Sequence, residues 1–179
     1  ALSFDEGSGS IAHDSAHDHD ATIHGAEWTE AGRYGSALEF DGEGDYLSIP
    51  DSDELDFTDG FTLEAWVKPE GAREQAPVIE KQSPAFFSYE LYAGGKSAPG
   101  VPEGFISDED WSWEEVAAEE ALPSETWSHL ALTYDGEKLR LYVNGELIGA
   151  EEAPPAQVTE GVLTIGANQY EHFFKGTLD

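Results

Sequence analysis

The residues best equipped for chemistry in this sequence are acidic and aromatic. Asp41-Gly42-Glu43-Gly44-Asp45 folds three carboxylates into a tight glycine-bearing turn. Calcium is bound by about six to eight oxygens from carboxylates and loop carbonyls, so Asp41, Glu43 and Asp45 are candidate Ca2+ ligands. Asp5, Asp14, Asp18 and Asp20 are further candidates in an irregular acidic stretch. The competing explanation is that Asp41 and Asp45 only brace a β-turn through side-chain to backbone hydrogen bonds. Trp111 and Trp113, with Ser112 between them, point the same way if the chain there is extended. Ring faces of this kind stack on the apolar face of a pyranose, while flanking carboxylates such as Asp110 and Glu114 accept from its hydroxyls. Tyr92 and Tyr170 lie near loops that could approach the same surface. Packing beneath the long 94–126 excursion explains the two tryptophans equally well.

Two other chemistries fit less well. His13, His17 and His19 alternate with Asp14, Asp18 and Asp20, a pattern open to a transition metal. A zinc site normally draws its ligands from separated rigid elements, and these sit on one loop, so a solvated acidic loop is the better expectation. Retaining glycoside hydrolysis needs two carboxylates about 5–5.5 Å apart across the sugar. Asp108-Glu109-Asp110 and Glu114-Glu115 offer acids, but in so acidic a chain such spacings arise by coincidence. Glu39 and Glu64 sit on strand patterns without a same-strand partner. Nucleophile elbows and phosphate loops are absent from the sequence and there is no Cys, so no enzyme is expected.

The elements that must position these residues read as strands. In Phe61–Lys68, Phe61, Leu63, Ala65 and Val67 alternate with Thr62, Glu64, Trp66 and Lys68, the period of a half-buried strand. Residues 127–134, 139–144 and 146–150 form a three-strand meander through Asp135-Gly136 and Asn144-Gly145, dipeptides that accept the positive φ of tight hairpins. Further strands are expected over 37–40, 46–49 and 162–167. Only 113–121 offers a turn or two of helix, or else an acidic loop. Residues 7–36 and 94–104 read as irregular, and Phe86-Phe87 as core or an exposed patch. The 179 residues suffice for one domain, 1–179.

The charge sets limits. Thirty-eight Asp and Glu against eight Lys and Arg give a net charge of −30, which repels nucleic acid and anionic lipid alike. No apolar run approaches the ~20 residues of a membrane span, so neither nucleic acid nor membrane insertion is expected. The carboxylates are spread along the whole chain. At molar salt, where the Debye length is about 3 Å, their repulsion is largely screened, which suggests a halophilic source; a calcium-rich extracellular setting is the rival explanation.

In order along the chain, Phe4-Asp5-Glu6-Gly7-Ser8-Gly9, Asp14-Ser15, His24-Gly25-Ala26 and Gly32–Gly42 running on to Gly44–Pro50 form the first group of signatures. They are followed by Phe61–Pro69, Trp127–Ala131, Tyr134-Asp135-Gly136, Leu141–Gly145 and Ile165-Gly166. Together these resemble the laminin-G-like domains of the concanavalin A-like lectin/glucanase superfamily. The resemblance implies an all-β fold, a two-sheet antiparallel jelly-roll sandwich, acting outside the cell or on its surface. It also implies a structural Ca2+ tying the N-terminal loop to the sheet, with Asp179 of Gly176-Thr177-Leu178-Asp179 near that region. The family pattern continues past this element into one more strand, whereas this sequence stops at Asp179. That final strand is then cut off, donated by a neighbouring subunit across an open sheet edge, or natively absent. The expected function is a non-catalytic recognition module for a glycan or surface polysaccharide. The alternative is a structural or adhesive module of a cell-surface, filament or viral assembly.

Overall fold

The computed structural model describes residues 1–82, 86–96 and 98–179. In chain order the strands are β1 (Ile11–Ala12), β2 (Ala21–His24), β3 (Glu27–Thr29), β4 (Ala37–Asp41), β5 (Tyr46–Ile49) and β6 (Phe61–Pro69). A 3-10 turn, Asp53–Leu55, precedes β6. Then follow β7 (Ala76–Gln82), β8 (Phe87–Gly94), β9 (Glu103–Ser107), β10 (Trp113–Ala117), β11 (Ser128–Tyr134), β12 (Lys138–Val143), β13 (Glu146–Glu152), β14 (Leu163–Ile165) and β15 (Lys175–Leu178). They form two antiparallel sheets, ordered β1-β2-β5-β14-β7-β8-β9-β10 and β13-β12-β11-β6-β15-β4-β3. The non-sequential neighbours are those of a jelly roll.

The alternating pattern of β6 works as its sequence demands. Phe61, Leu63 and Val67 are buried, while Thr62 and Glu64 are exposed. They meet Leu130, Leu132, Leu139 and Leu141 from β11 and β12, and Val78, Tyr89, Leu91 and Ile106 from the facing sheet, in one continuous core. Burying each such large apolar side chain stabilises the sandwich by about 1.5–3 kcal/mol relative to leaving it in water. The meander turns where predicted: Asn144 and Gly145 hold φ of 53° and 80°, the double positive φ that matches a two-residue hairpin to strand twist.

Several expectations need correction. Residues 113–121 are not helical: 113–117 form β10, pairing all five residues with β9. Residues 7–36 contain the short strands β1 to β3 rather than irregular chain alone. Strands β7 and β8 went unread, because Phe87–Gly94 is buried at every position and gives no period-2 signal. The Gly176–Asp179 element is itself part of a strand, lying between β4 and β6.

That placement leaves a gap. Asp179 exchanges backbone hydrogen bonds with Trp66 (2.9 and 3.1 Å), and pairing on this side of β6 ends there. Among the described residues, Phe61–Ala65 have no strand partner on their β15 side. Beside them runs a groove of about 590 Å³, walled in part by Leu2, Phe4, Phe57, Ile79 and Ile165.

Candidate functional site

One cross-strand register organises the outer face of the eight-stranded sheet. Thr164 of β14 stands opposite Glu80 of β7, Glu80 opposite Glu90 of β8, Glu90 opposite Phe105 of β9, and Phe105 opposite Glu115 of β10. Tyr92 and Glu103 form the adjacent row, and Ser107 faces Trp113. Glu80, Glu90 and Glu103 are buried, since loops cover this face. Gln157 reaches in from one loop to donate to Ser107 Oγ (2.7 Å) and to the Phe87 carbonyl (2.5 Å). From another, Gln169 gives its backbone N–H to Glu80 Oε1 (3.2 Å) and its side-chain amide to the Phe86 carbonyl (2.6 Å).

Lys96 closes the cluster. Its Nζ lies 2.7 Å from Glu90 Oε2 and 4.3, 4.8 and 5.3 Å from the ring centres of Phe105, Phe87 and Tyr92. Its backbone N–H donates to Glu103 Oε2 at 2.7 Å. An ammonium held between ring faces and a carboxylate gains from both fields. The carboxyls are crowded nonetheless. Burial, and next the Glu90 carboxylate, push Glu80 up to about 9. Glu90 is raised as well, by burial, although Lys96 pulls the other way. Glu80 Oε2 is buried without a hydrogen-bond partner among the described residues.

At the rim the aromatics turn outward. Trp111 and Trp113 are 51% and 49% exposed, with the Trp111 ring 6.2 Å from Phe86 and the Trp113 ring 5.9 Å from Phe105. Trp111 holds φ of +65°, a strained conformation for a bulky residue. The Asp108 carboxylate fixes that turn by accepting from the N–H groups of Asp110 (3.0 Å) and Ser112 (2.9 Å). Strain of this sort costs about 1–3 kcal/mol and gathers at functional sites. Glu115 is half-buried on the Trp113 strand, its carboxyl pushed up by burial and next by Glu103.

Of the four predicted ligand-binding residues, Trp111 and Trp113 stand together at this rim. Exposed Tyr170 sits on the Asn168–His172 turn, and Gln169 of that turn contacts Glu80 and Phe86, so it borders the same face. Tyr92 differs from its expectation. It is fully buried, its hydroxyl donating to Glu90 Oε1 (3.3 Å) and accepting from Asn168 Nδ2 (3.0 Å). Sequence reading missed Glu80, Glu90, Lys96, Glu103 and Phe105. Only Phe105 on its short β-rich run and the alternation Ser88/Glu90/Tyr92 carried a signal, and burial of both faces masked it.

The six metal candidates fall in three places. Asp41, Glu43 and Asp45 share one turn, where Asp41 Oδ1 accepts from the Glu43 N–H (2.7 Å) and Asp45 Oδ2 from the Asp41 N–H (2.8 Å). Burial, then the nearby Asp41 and Glu27 carboxylates, raise the Asp45 pKa. Asp5 and Asp179 converge on a second segment, accepting from the N–H groups of Ser36 (3.2 Å) and Tyr34 (2.7 Å). Asp14 lies apart, bonded to the Ala16 N–H at 2.9 Å. His19 stands 3.7 Å from Asp14 and 3.6 Å from Glu54. Among the described residues, no three His, Asp or Glu side chains are arranged to hold a metal ion.

A two-sheet sandwich with an aromatic rim over a buried polar row defines a jelly-roll domain, and the sequence family agrees. Residues 41–179 match the model of a laminin-G family described as the concanavalin A-like lectin/glucanases superfamily, and the chain belongs to it. Pappalysin-1 of Mus musculus is 29% identical over 162 residues, covering 80% of this chain and 10% of that protein. The Homo sapiens counterpart is 29% identical over 166 residues. The chain thus spans about a tenth of the length of the curated relatives it matches.

Among solved structures, domain 4 of an extracellular arabinanase from Geobacillus stearothermophilus, in complex with arabinotriose, is similar. Its TM-score is 0.74 at 18% identity, with 93% of this chain and 83% of that one covered. The binding domain of botulinum neurotoxin serotype G gives a TM-score of 0.63 at 13% identity, with 94% of this chain and 46% of that one covered. The serotype D ligand-binding domain, in complex with N-acetylneuraminic acid, gives 0.63 at 12% identity, with 98% and 47% covered. At these identities the likeness is one of fold.

Proposed function

We propose that this chain is a non-catalytic glycan-binding module, one domain over residues 1–179, that works outside the cell and is stabilised by calcium. The observation that carries the reading is the pair of half-exposed tryptophans at the rim of the outer sheet face, one of them held at φ of +65° by Asp108. Large flat rings displayed at a conformational cost suit stacking on sugar. The similar arabinanase domain, determined with arabinotriose, supports the same reading. Against catalysis, the paired Glu80 and Glu90 carboxyls are fully buried and present no face to a glycosidic oxygen. No helix among the described residues is long and apolar enough to cross a membrane.

The test is a glycan screen of the purified chain in high salt. Selective binding that falls at least about tenfold in Trp111→Ala and Trp113→Ala, each keeping the wild-type melting temperature, supports the module. Binding unchanged in both variants overturns the site. Calcium is supported by the convergence of Asp5 and Asp179 on Tyr34–Ser36. It predicts a melting temperature that rises with Ca2+ and falls with chelator, the rise disappearing in Asp5→Ala. No response to either addition removes calcium from the proposal.

A further inference from the structure

The charge balance of the outer sheet face selects among sugars. Four carboxyls, those of Glu80, Glu90, Glu103 and Glu115, are brought together by the β7–β10 register. Among the described residues Lys96 is the single ammonium against them, bonded to Glu90. Glu80 keeps one buried oxygen without a partner. Lys96 and the Tyr92 hydroxyl hold Glu90, and the Lys96 N–H holds Glu103, so positive charge on this face is spent at its Glu90 end. Toward solvent the row ends at Glu115, which is half-buried and follows exposed Trp113 by two residues on β10. The two side chains leave the same face of the strand about 7 Å apart, a span that a stacked pyranose and its exocyclic amine bridge. The raised Glu115 pKa, caused by burial and by Glu103, is what an arriving cation would relieve.

Resting on the glycan-binding reading, we propose that this face takes an amino sugar with a free ammonium, its ring stacked on Trp113 and its nitrogen paired with Glu115. A half-buried charge-assisted pair keeps its strength where long-range attraction is screened. A uronic or sialic acid in the same pose sets carboxylate against carboxylate and is rejected.

The test compares short glucosamine oligomers with N-acetylglucosamine and galacturonate oligomers of matched length, by calorimetry in about 1 M NaCl, where the Debye length of about 3 Å suppresses nonspecific attraction to the acidic surface. The free-amine oligomer should bind about tenfold tighter than its acetylated counterpart, with the uronate weakest. Glu115→Gln should bring the free-amine and acetylated oligomers within about twofold of each other while leaving the acetylated one bound. Glu30→Gln, which removes the same charge beyond the far edge strand β3, should leave the preference intact. Equal or tighter binding of the acetylated oligomer overturns the proposal, as does a preference that survives Glu115→Gln or is lost equally in Glu30→Gln. Where a neutral sugar binds through Trp113 without preference for the amine, only the amino-sugar assignment falls. Where no sugar of any class binds, the glycan-binding reading falls with it.

Discussion

Glu80 carries a large electrostatic penalty in the fold. Fully buried, it faces Glu90 across the strand pair, and its carboxyl is pushed up to about 9, so at neutral pH it is held as the neutral acid. A carboxyl whose folded pKa exceeds its unfolded value near 4.5 binds more protons folded than unfolded between those two values. Its contribution to stability is complete below about pH 4.5 and is lost as pH rises through about 9. Thermal unfolding from pH 6 to 10 should therefore show a falling melting temperature. Glu80→Gln, which keeps an acceptor for the Gln169 N–H and cannot ionise, should flatten that fall and raise the melting temperature above wild type at the alkaline end. A variant with the parent's slope would mean that another group drives it. Sequence alone left Trp111 and Trp113 open between packing and ligand contact, and the fold leaves both half-exposed at the rim. Tyr92 was misplaced because proximity to a loop in sequence does not say which way a strand residue points.

Among the elements, legibility followed the difference between the two faces of a strand. β6 and β12 bury one face and open the other toward solvent, and β11 buries Leu130, Leu132 and Tyr134 while His129 and Thr133 stay half-buried, so their periods stood out. β7 and β8 are covered on both sides, chiefly by loops that no local pattern announces. In β10, Glu114, Glu115 and Ala117 are good helix formers, and tertiary pairing with β9 overrode that preference. β15 owes its place between β4 and β6 to Gly176, where φ is 136° and an added Cβ would lie 2.2 Å from the Lys68 carbonyl oxygen and 2.9 Å from Pro69 Cα. Both contacts are backbone, so neither side can yield cheaply. Gly176→Ala should cost more than about 2 kcal/mol, a drop of roughly 4–8 °C in melting temperature at about 2–4 °C per kcal/mol. Loss of under about 1 °C would mean that β15 shifts freely and does not anchor the sheet.

For the molecule as a whole, the net charge of −30 sets the solution conditions. The described ion pairs are few, and several involve histidine or exposed partners, so most carboxylates are opposed by nothing but solvent and counterions. Raising NaCl from about 0.1 to 2 M should stabilise the fold by a few kcal/mol and lift the melting temperature by about 10 °C. A flat response would show that the charges are spaced widely enough not to matter and would remove the case for a halophilic source. The sandwich itself was legible from the ordered motifs of the whole chain, whereas the buried carboxyl row was not. Its members lie on strands whose neighbours in space, Glu80 with Glu90 and Phe105 with Glu115, are set by register alone.

Lys96 also gives the site a spectroscopic handle. Its Nζ lies within 4.3 to 5.3 Å of three ring centres, deep inside their ring currents. Isotope-labelled methyl groups placed on that amine by reductive methylation, which preserves its charge, would resonate upfield of those on solvent-exposed lysines. Because the rings of Phe105 and Trp113 are in contact, a sugar settling on the rim would move that signal, and two small methyl groups would report occupancy without a dye.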